Sequence, residues 1–423
     1  MDGIDHEPAH SGLIFSINLK RKLSSVLELL KNRNLAIIFI TWILFALAGP
    51  LFWQFESDYA KRLGASPEII GMMNSVFTLI NMLVQIPGGY LADKKGRKKL
   101  VVWGTFLVGF PNLMRALSKD WRSYFLATAL TVAVGNMYNP ALAAIYQDSL
   151  PLDSRAFGSS VINGISWAIP STISSLLGGY LYERYGLSGL RAALVVNALV
   201  YFVNGALRSR MVETLQVKKT QGMSFRETIS SLRRIFSWAY GSVRVLLTLD
   251  ILFGVITGIS GAFRLLYALY VIGVSRVEWG MLGGVYNMLY LPLSLYAGMM
   301  SDRKGRVRQM RLTPILWAIS NLLFVTANDF EMVLLSWILG VIGDAFWRPG
   351  FSAMWIDIIP RKRRARIFSI RTIVGGVSSS ISYSIGGFLY AKNEVFPFIV
   401  VILIQFLMIP LLLYLKEPET REI

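Results

Sequence analysis

Apolar runs recur along the 423-residue chain, divided by short stretches where glycine, proline and charged residues gather. About 20 apolar residues suffice to carry a helix across ~30 Å of hydrocarbon. Twelve runs reach that length, at 35–55, 69–92, 100–117, 121–145, 157–182, 189–207, 245–272, 279–300, 310–327, 332–356, 367–390 and 395–415. The pattern predicts an all-α membrane protein of two six-helix bundles, 35–207 and 245–415, with tails at 1–34 and 416–423 and a linker at 208–244.

Composition supports lipid as the solvent. Hydrophobic residues make up 54% of the chain and charged residues 16%, against about 25% charged in soluble domains. Mean hydropathy is +0.51. The net charge of +18 would point to nucleic acid on a soluble protein. The positions of Lys and Arg explain it differently. With a cytoplasmic N-terminus, 32 of the 43 basic residues fall on the cytoplasmic side and 9 opposite, while Arg264 and Arg348 lie deeper in spans. That bias is a positive-inside signal, so both termini are expected in the cytoplasm of a multi-pass cell-membrane protein. Residues 1–10 are polar and acidic, without a signal-peptide pattern, so the first span is expected to persist.

The linker carries eight basic residues. Ser224 and Glu227 form a capping-box pattern, followed by Phe225, Ile229, Leu232 and Phe236 at helical spacing. This reads either as an amphipathic helix on the inner membrane face or as an ordinary flexible connection. Leu23, Leu27 and Leu30, set among basic residues, read the same way more weakly.

A repeat runs through the chain at a constant offset of 209 residues. Gly89, Asp93, Gly96 and Arg97 recur as Gly298, Asp302, Gly305 and Arg306. Pro140, Asp148, Pro151 and Arg155 recur as Pro349, Asp357, Pro360 and Arg364. Gly49 and Gly71 map to Gly258 and Gly280. Ordered matches of charge, glycine and proline mark two copies. An even number of helices in each makes the halves parallel.

The segment Gly89-Tyr90-Leu91-Ala92-Asp93-Lys94-Lys95-Gly96-Arg97 resembles the signature between the second and third helices of the major facilitator superfamily, and Gly298 to Arg306 echoes it. Pro140 through Asp148, Pro151 and Arg155 resembles that family's connection between helices four and five. The resemblance covers about residues 35–415 and implies a twelve-helix transporter working by alternating access. It further implies a conformational latch in which Asp93 reaches the N-terminus of the eleventh helix and Arg97 pairs with Asp148. By the repeat, Asp302 would face the fifth helix and Arg306 would pair with Asp357. The plainer alternative is that Asp93 and Asp302 cap local amides and balance nearby arginines. Small residues crowd the fifth and eleventh spans, as at Gly178-Gly179 and Gly386-Gly387, and fit either close static packing or a moving interface.

An ionisable group deep in a span costs at least ~2.5–3.5 kcal/mol and is a functional candidate by default. Asp344 lies twelve residues into the tenth span, ~18 Å from its end at 1.5 Å per residue. Arg348, four residues on, shares its face; the pair is either functional or a structural ion pair. Asp250 and Arg264 lie too far apart on the seventh span to pair. Arg115, near the end of the third span, is expected to snorkel. In the family, the first, fourth, seventh and tenth helices line the cavity. That implication brings in Gln54 and Glu56, Asn136 and Asn139, Asp250 and Arg264, Asp344 and Arg348, with Trp347 among candidate aromatic walls.

There is no cysteine, and His6 and His10 both sit in the N-terminal tail. No metal site, cofactor, catalytic constellation or ATP-binding loop emerges, so the chain is not expected to be an enzyme or to bind nucleic acid. The partners expected are the bilayer, a small molecule and, for a proton-coupled mechanism, protons; a monomer suffices. Three functions fit. One is proton-coupled efflux of amphipathic or drug-like compounds, with Asp344 or Asp250 exchanging a proton, although Ile169-Pro170 stand farther from Gly178-Gly179 than the family's antiporter pattern has them. The second is symport or facilitated uptake of a small organic metabolite or anion, served by Arg264 and Arg348. The third is a sensor that moves nothing.

Overall fold

The computed structural model describes residues 28–151, 155–215, 241–359 and 364–415. The amphipathic patterns at 216–240 and before residue 28 lie outside the described residues. Every regular element described is helical. Joining segments across short breaks gives twelve rods among the described residues. In the first half these are α1 (Arg33–Ala48, continued by Pro50–Trp53), α2 (Pro67–Lys95), α3 (Arg97–Leu117), α4 (Trp121–Met137, continued by Asn139–Ser149), α5 (Arg155–Tyr185) and α6 (Leu187–Arg208). A short helix, Glu56–Arg62, joins α1 to α2. The second half holds α7 (Ser242–Ser260, then Arg264–Tyr267 and a π-turn Ala268–Ile272), α8 (Arg276–Lys304), α9 (Arg306–Arg311 and Thr313–Thr326), α10 (Phe330–Ile358), α11 (Arg364–Lys392) and α12 (Phe396–Leu413).

Seven rods, α1, α2, α3, α6, α7, α10 and α12, are long and apolar enough to cross a membrane on their own composition. The others have identifiable reasons for falling short. Pro140 and Pro314 begin new segments in α4 and α9, because proline cannot continue the preceding hydrogen-bond ladder. Glycines, serines and terminal charges dilute α5, α8 and α11.

The sequence repeat is also a repeat of backbone conformation. Gly96 and Gly305 take φ near 93° at the two signature turns, a region that side chains disfavour. Ser66 and Ser275 cap α2 and α8, and Asp120 and Asp329 cap α4 and α10. Each oxygen accepts from an otherwise orphaned first-turn amide.

The halves meet where α2 lies against α11 and α5 against α8. At the end opposite the signatures they share one buried cluster, in which Phe52, Phe55 and Tyr182 of the first half join Phe263, Leu266 and Trp279 of the second. Toward the signature end this core divides into two, one per half. Small residues permit the contact. Gly71 backs onto Tyr383 and Gly387, and Gly179 onto Arg276 and Gly280. Farther along, Gly89 and Gly298 face open space. The halves therefore splay from a closed end to an open signature end.

Candidate functional site

A cavity of about 750 Å³ lies between the halves. Trp42, Tyr138, Asn139, Trp167, Tyr201 and Arg208 wall it on one side, and Asn287, Tyr290 and Ser294 of α8 on the other. The break in α4 ahead of Pro140 shapes this wall. There Asn139 donates to Asn136 at 2.9 Å, and both line the cavity.

A second cavity, about 340 Å³, lies within the second half and gathers Arg264, Tyr286, Asn321, Asp344, Arg348 and Gln405. Asp344 Oδ2 accepts a hydrogen bond from the Tyr286 hydroxyl at 2.8 Å. Arg348 stands farther off, at 3.5 Å, with its side chain 53% exposed. Tyr286 stacks on Tyr290 with ring centroids 5.5 Å apart, so one aromatic pair links Asp344 to the larger cavity. Arg264 follows the break in α7 and donates to Asn321 Oδ1, whose amide donates to Gln405 at 3.2 Å.

Other candidates stand apart from these two cavities. Asp250 accepts two hydrogen bonds from Arg371 of α11, at 2.8 and 3.1 Å. Arg371 also packs over Phe351 and Trp355. Glu56 binds Arg115 and the Tyr124 hydroxyl, each at 2.7 Å. Arg115 therefore does not snorkel; it is buried, because its face of α3 turns inward toward Glu56 and Tyr124. Trp347 is core, stacked on Phe351 at 5.0 Å and packed on Trp317 at 5.3 Å, because its indole turns toward α9 and not into the cavity that Asp344 borders. Gln54 donates to the Ser175 carbonyl at 2.9 Å and borders a third cavity, of about 270 Å³.

At the open end, Arg97 Nη1 lies 2.6 Å from Asp148 Oδ2, and Arg306 pairs with Asp357. Asp93 is exposed, with no partner among the described residues. The side chains of Arg155, Asp302 and Arg364 lie outside the described residues. At the closed end sits a cluster that sequence reasoning missed. Asp58 is fully buried. It accepts from Tyr182 of its own half and from Tyr270 of the other at 2.5 Å. Arg62 and Arg276 flank it at 3.5 and 4.0 Å.

The sequence pattern of the Major Facilitator Superfamily matches residues 34–275 and 246–423. The chain belongs to this superfamily. It is thus a membrane-embedded transporter of small molecules, not an enzyme. Similar members include the quinolone resistance protein NorA of Staphylococcus aureus (strain COL), 22% identical over 85% of this chain and 88% of that protein. Another is the multidrug resistance protein MdtG of Salmonella paratyphi B, 24% identical over 80% and 84%. The crystal structure of the nucleoside transporter NupG shares the fold with a TM-score of 0.71, 14% identity and coverage of 91% and 99%. In this superfamily member, Gly179 is an interface position, abutting the Arg276 carbonyl of the other half, while Gly178 packs on the Leu51 backbone of α1 within its own half.

Proposed function

We propose that the protein exports amphipathic organic compounds in exchange for protons, by alternating access. The bundles 35–207 and 245–415 would move as bodies, with the signature end and both termini facing the cytoplasm. The observation that carries this reading is the cavity between the halves, walled by Trp42, Tyr138, Trp167, Tyr201 and Tyr290 and set on the signature side of the shared core. Aromatic faces accept flat apolar bodies, and a few polar groups orient them. Relatives named for quinolone and multidrug resistance support the substrate class.

Asp344 is the carboxyl proposed to exchange the proton. It stands on a cavity wall and holds a neutral hydroxyl closer than its arginine. Asp250 is tied to Arg371 and is assigned a structural part. The signature turns, with Arg97–Asp148 and Arg306–Asp357, form the proposed latch of the alternate state, in which Asp93 meets the positive N-terminal end of α11.

Proteoliposomes provide the test. A proton gradient should drive ethidium or naphthoate across the membrane, and Asp344→Asn should abolish the gradient dependence while leaving exchange between equal pools. Gradient-driven movement in Asp344→Asn would remove that residue as the carrier. Failure to move any amphipathic probe would remove the export reading.

A further inference from the structure

One buried charge in the large cavity remains unassigned. Arg208 is only 4% exposed and closes α6, yet its side chain lines the cavity between the halves. Two hydroxyls hold it. Thr105 Oγ1 accepts from Nη1 at 2.7 Å, and Thr41 Oγ1 accepts from Nε at 3.4 Å. Both hydroxyls spend their own protons on backbone carbonyls, Val101 and Ile38, so their lone pairs are aimed at the guanidinium. The Tyr138 ring lies beside it, 5.8 Å from centroid to guanidinium carbon.

Among the described residues the guanidinium of Arg208 makes these two hydrogen bonds, both to neutral hydroxyls, and no ion pair with a carboxylate. The described lining of this cavity holds no Asp or Glu, so Arg208 is its sole ionised group. A guanidinium withdrawn from water without a counter-charge is costly, and its fork matches a carboxylate or phosphate. The second cavity leans the same way, with Arg264 and Arg348 against Asp344 alone.

We infer that Arg208 is the anchor for an anionic head group, and that the transported compounds are amphipathic organic anions: a flat apolar body against the aromatic walls and a carboxylate or similar oxyanion on Arg208. This deepens the proposed export function and rests on it. It also bears on coupling. Arg208 and Asp344 line separate cavities, so the anion does not take the proton's place on one side chain. Coupling runs through the rocking of the halves.

The test is equilibrium binding to the purified full chain, read by tryptophan quenching, of naphthoate against its neutral isostere naphthamide. A charge-assisted hydrogen bond at a buried site is worth enough to predict at least a tenfold preference for naphthoate. Arg208→Gln should bring the ratio close to one by weakening naphthoate alone, and Arg208→Lys should restore part of it. Arg208 also ends a helix, so its loss could unfold the chain. Asn139→Asp therefore provides a second route: it places a negative charge on the same wall at an exposed position and should likewise cut the preference. Equal binding of both probes by the unaltered protein overturns the inference, as does an undiminished preference in folded Arg208→Gln. Driven transport of ethidium without any of naphthoate would sink the anion assignment but keep the export reading; transport of neither probe would sink the export reading itself.

Discussion

Replacing Asp58 with alanine should open the closed end. In this structure Asp58 is fully buried and makes two contacts across the halves, to the Tyr270 hydroxyl at 2.5 Å and to Arg276 at 4.0 Å. Its bonds to Tyr182 and Arg62 stay within its own half. Only the cross-half contacts are lost on opening, so only they weight one state over the other. A hydrogen bond to a charged acceptor contributes about 1.5–3 kcal/mol, and the partly exposed Arg276 adds well under 1 kcal/mol. At about 1.4 kcal/mol per tenfold, removing Asp58 shifts the population by roughly 10- to 150-fold toward the form open at this end. Lys61, Arg62 and Arg276 also lose their common counter-charge, which pushes in the same direction. The chain has no native cysteine, so spin labels at Lys119→Cys and Asn328→Cys report without background. Both sites are exposed in connections at the closed end, one in each half. The unaltered protein should give a single distance, and Asp58→Ala should add a longer one as a major population. An unchanged distribution would show that Asp58 does not hold this end shut.

The same label pair tests packing. Gly280→Val should also lengthen the distance, because a side chain there meets the Ser175 carbonyl at 2.6 Å and the Gly179 backbone at 3.2 Å, neither of which can yield without parting α5 from α8. Arg371→Met should lower thermal stability in detergent by about 2–4 kcal/mol, somewhat less than for a fully buried pair, since it strands the half-buried Asp250 carboxylate. Asp250→Asn combined with Arg371→Met should recover much of that loss, and no recovery would show that the pair is not the cause.

The fold was legible because two independent signals agree. Apolar runs mark the spans, and the offset of 209 residues ties their order to two equivalent halves. The repeat extends further: Gly64 and Gly273, the same offset apart, take φ of 91° and 87° at equivalent turns, and the caps at Ser66 and Ser275 repeat as well. The site was legible only in part, because position along a helix gives depth without azimuth. Asp344 and Arg348 sit at cavity depth and face the cavity; Trp347, between them, faces the core. By sequence Arg208 falls in the basic linker and Arg371 among the cytoplasmic-side charges, yet long side chains carry one guanidinium to Thr41 and Thr105 and the other to Asp250. Glu56 was placed in the cavity and instead satisfies Arg115. Asp58 left no signal, because its value lies in neighbours contributed by the other half. Which faces meet is decided by tertiary packing, and a single sequence does not carry that.

Rocking of the halves is most directly tested by locking them. Ser75 of α2 and Ser380 of α11 face each other across the interface with hydroxyl oxygens 3.0 Å apart. Cysteines at these two positions, the only ones in the chain, should form a disulfide on oxidation. Gradient-driven transport of naphthoate or ethidium into proteoliposomes should then stop, and it should return on reduction with dithiothreitol. Transport at the unlocked rate with the disulfide fully formed would contradict alternating access by separation of the two bundles at this end.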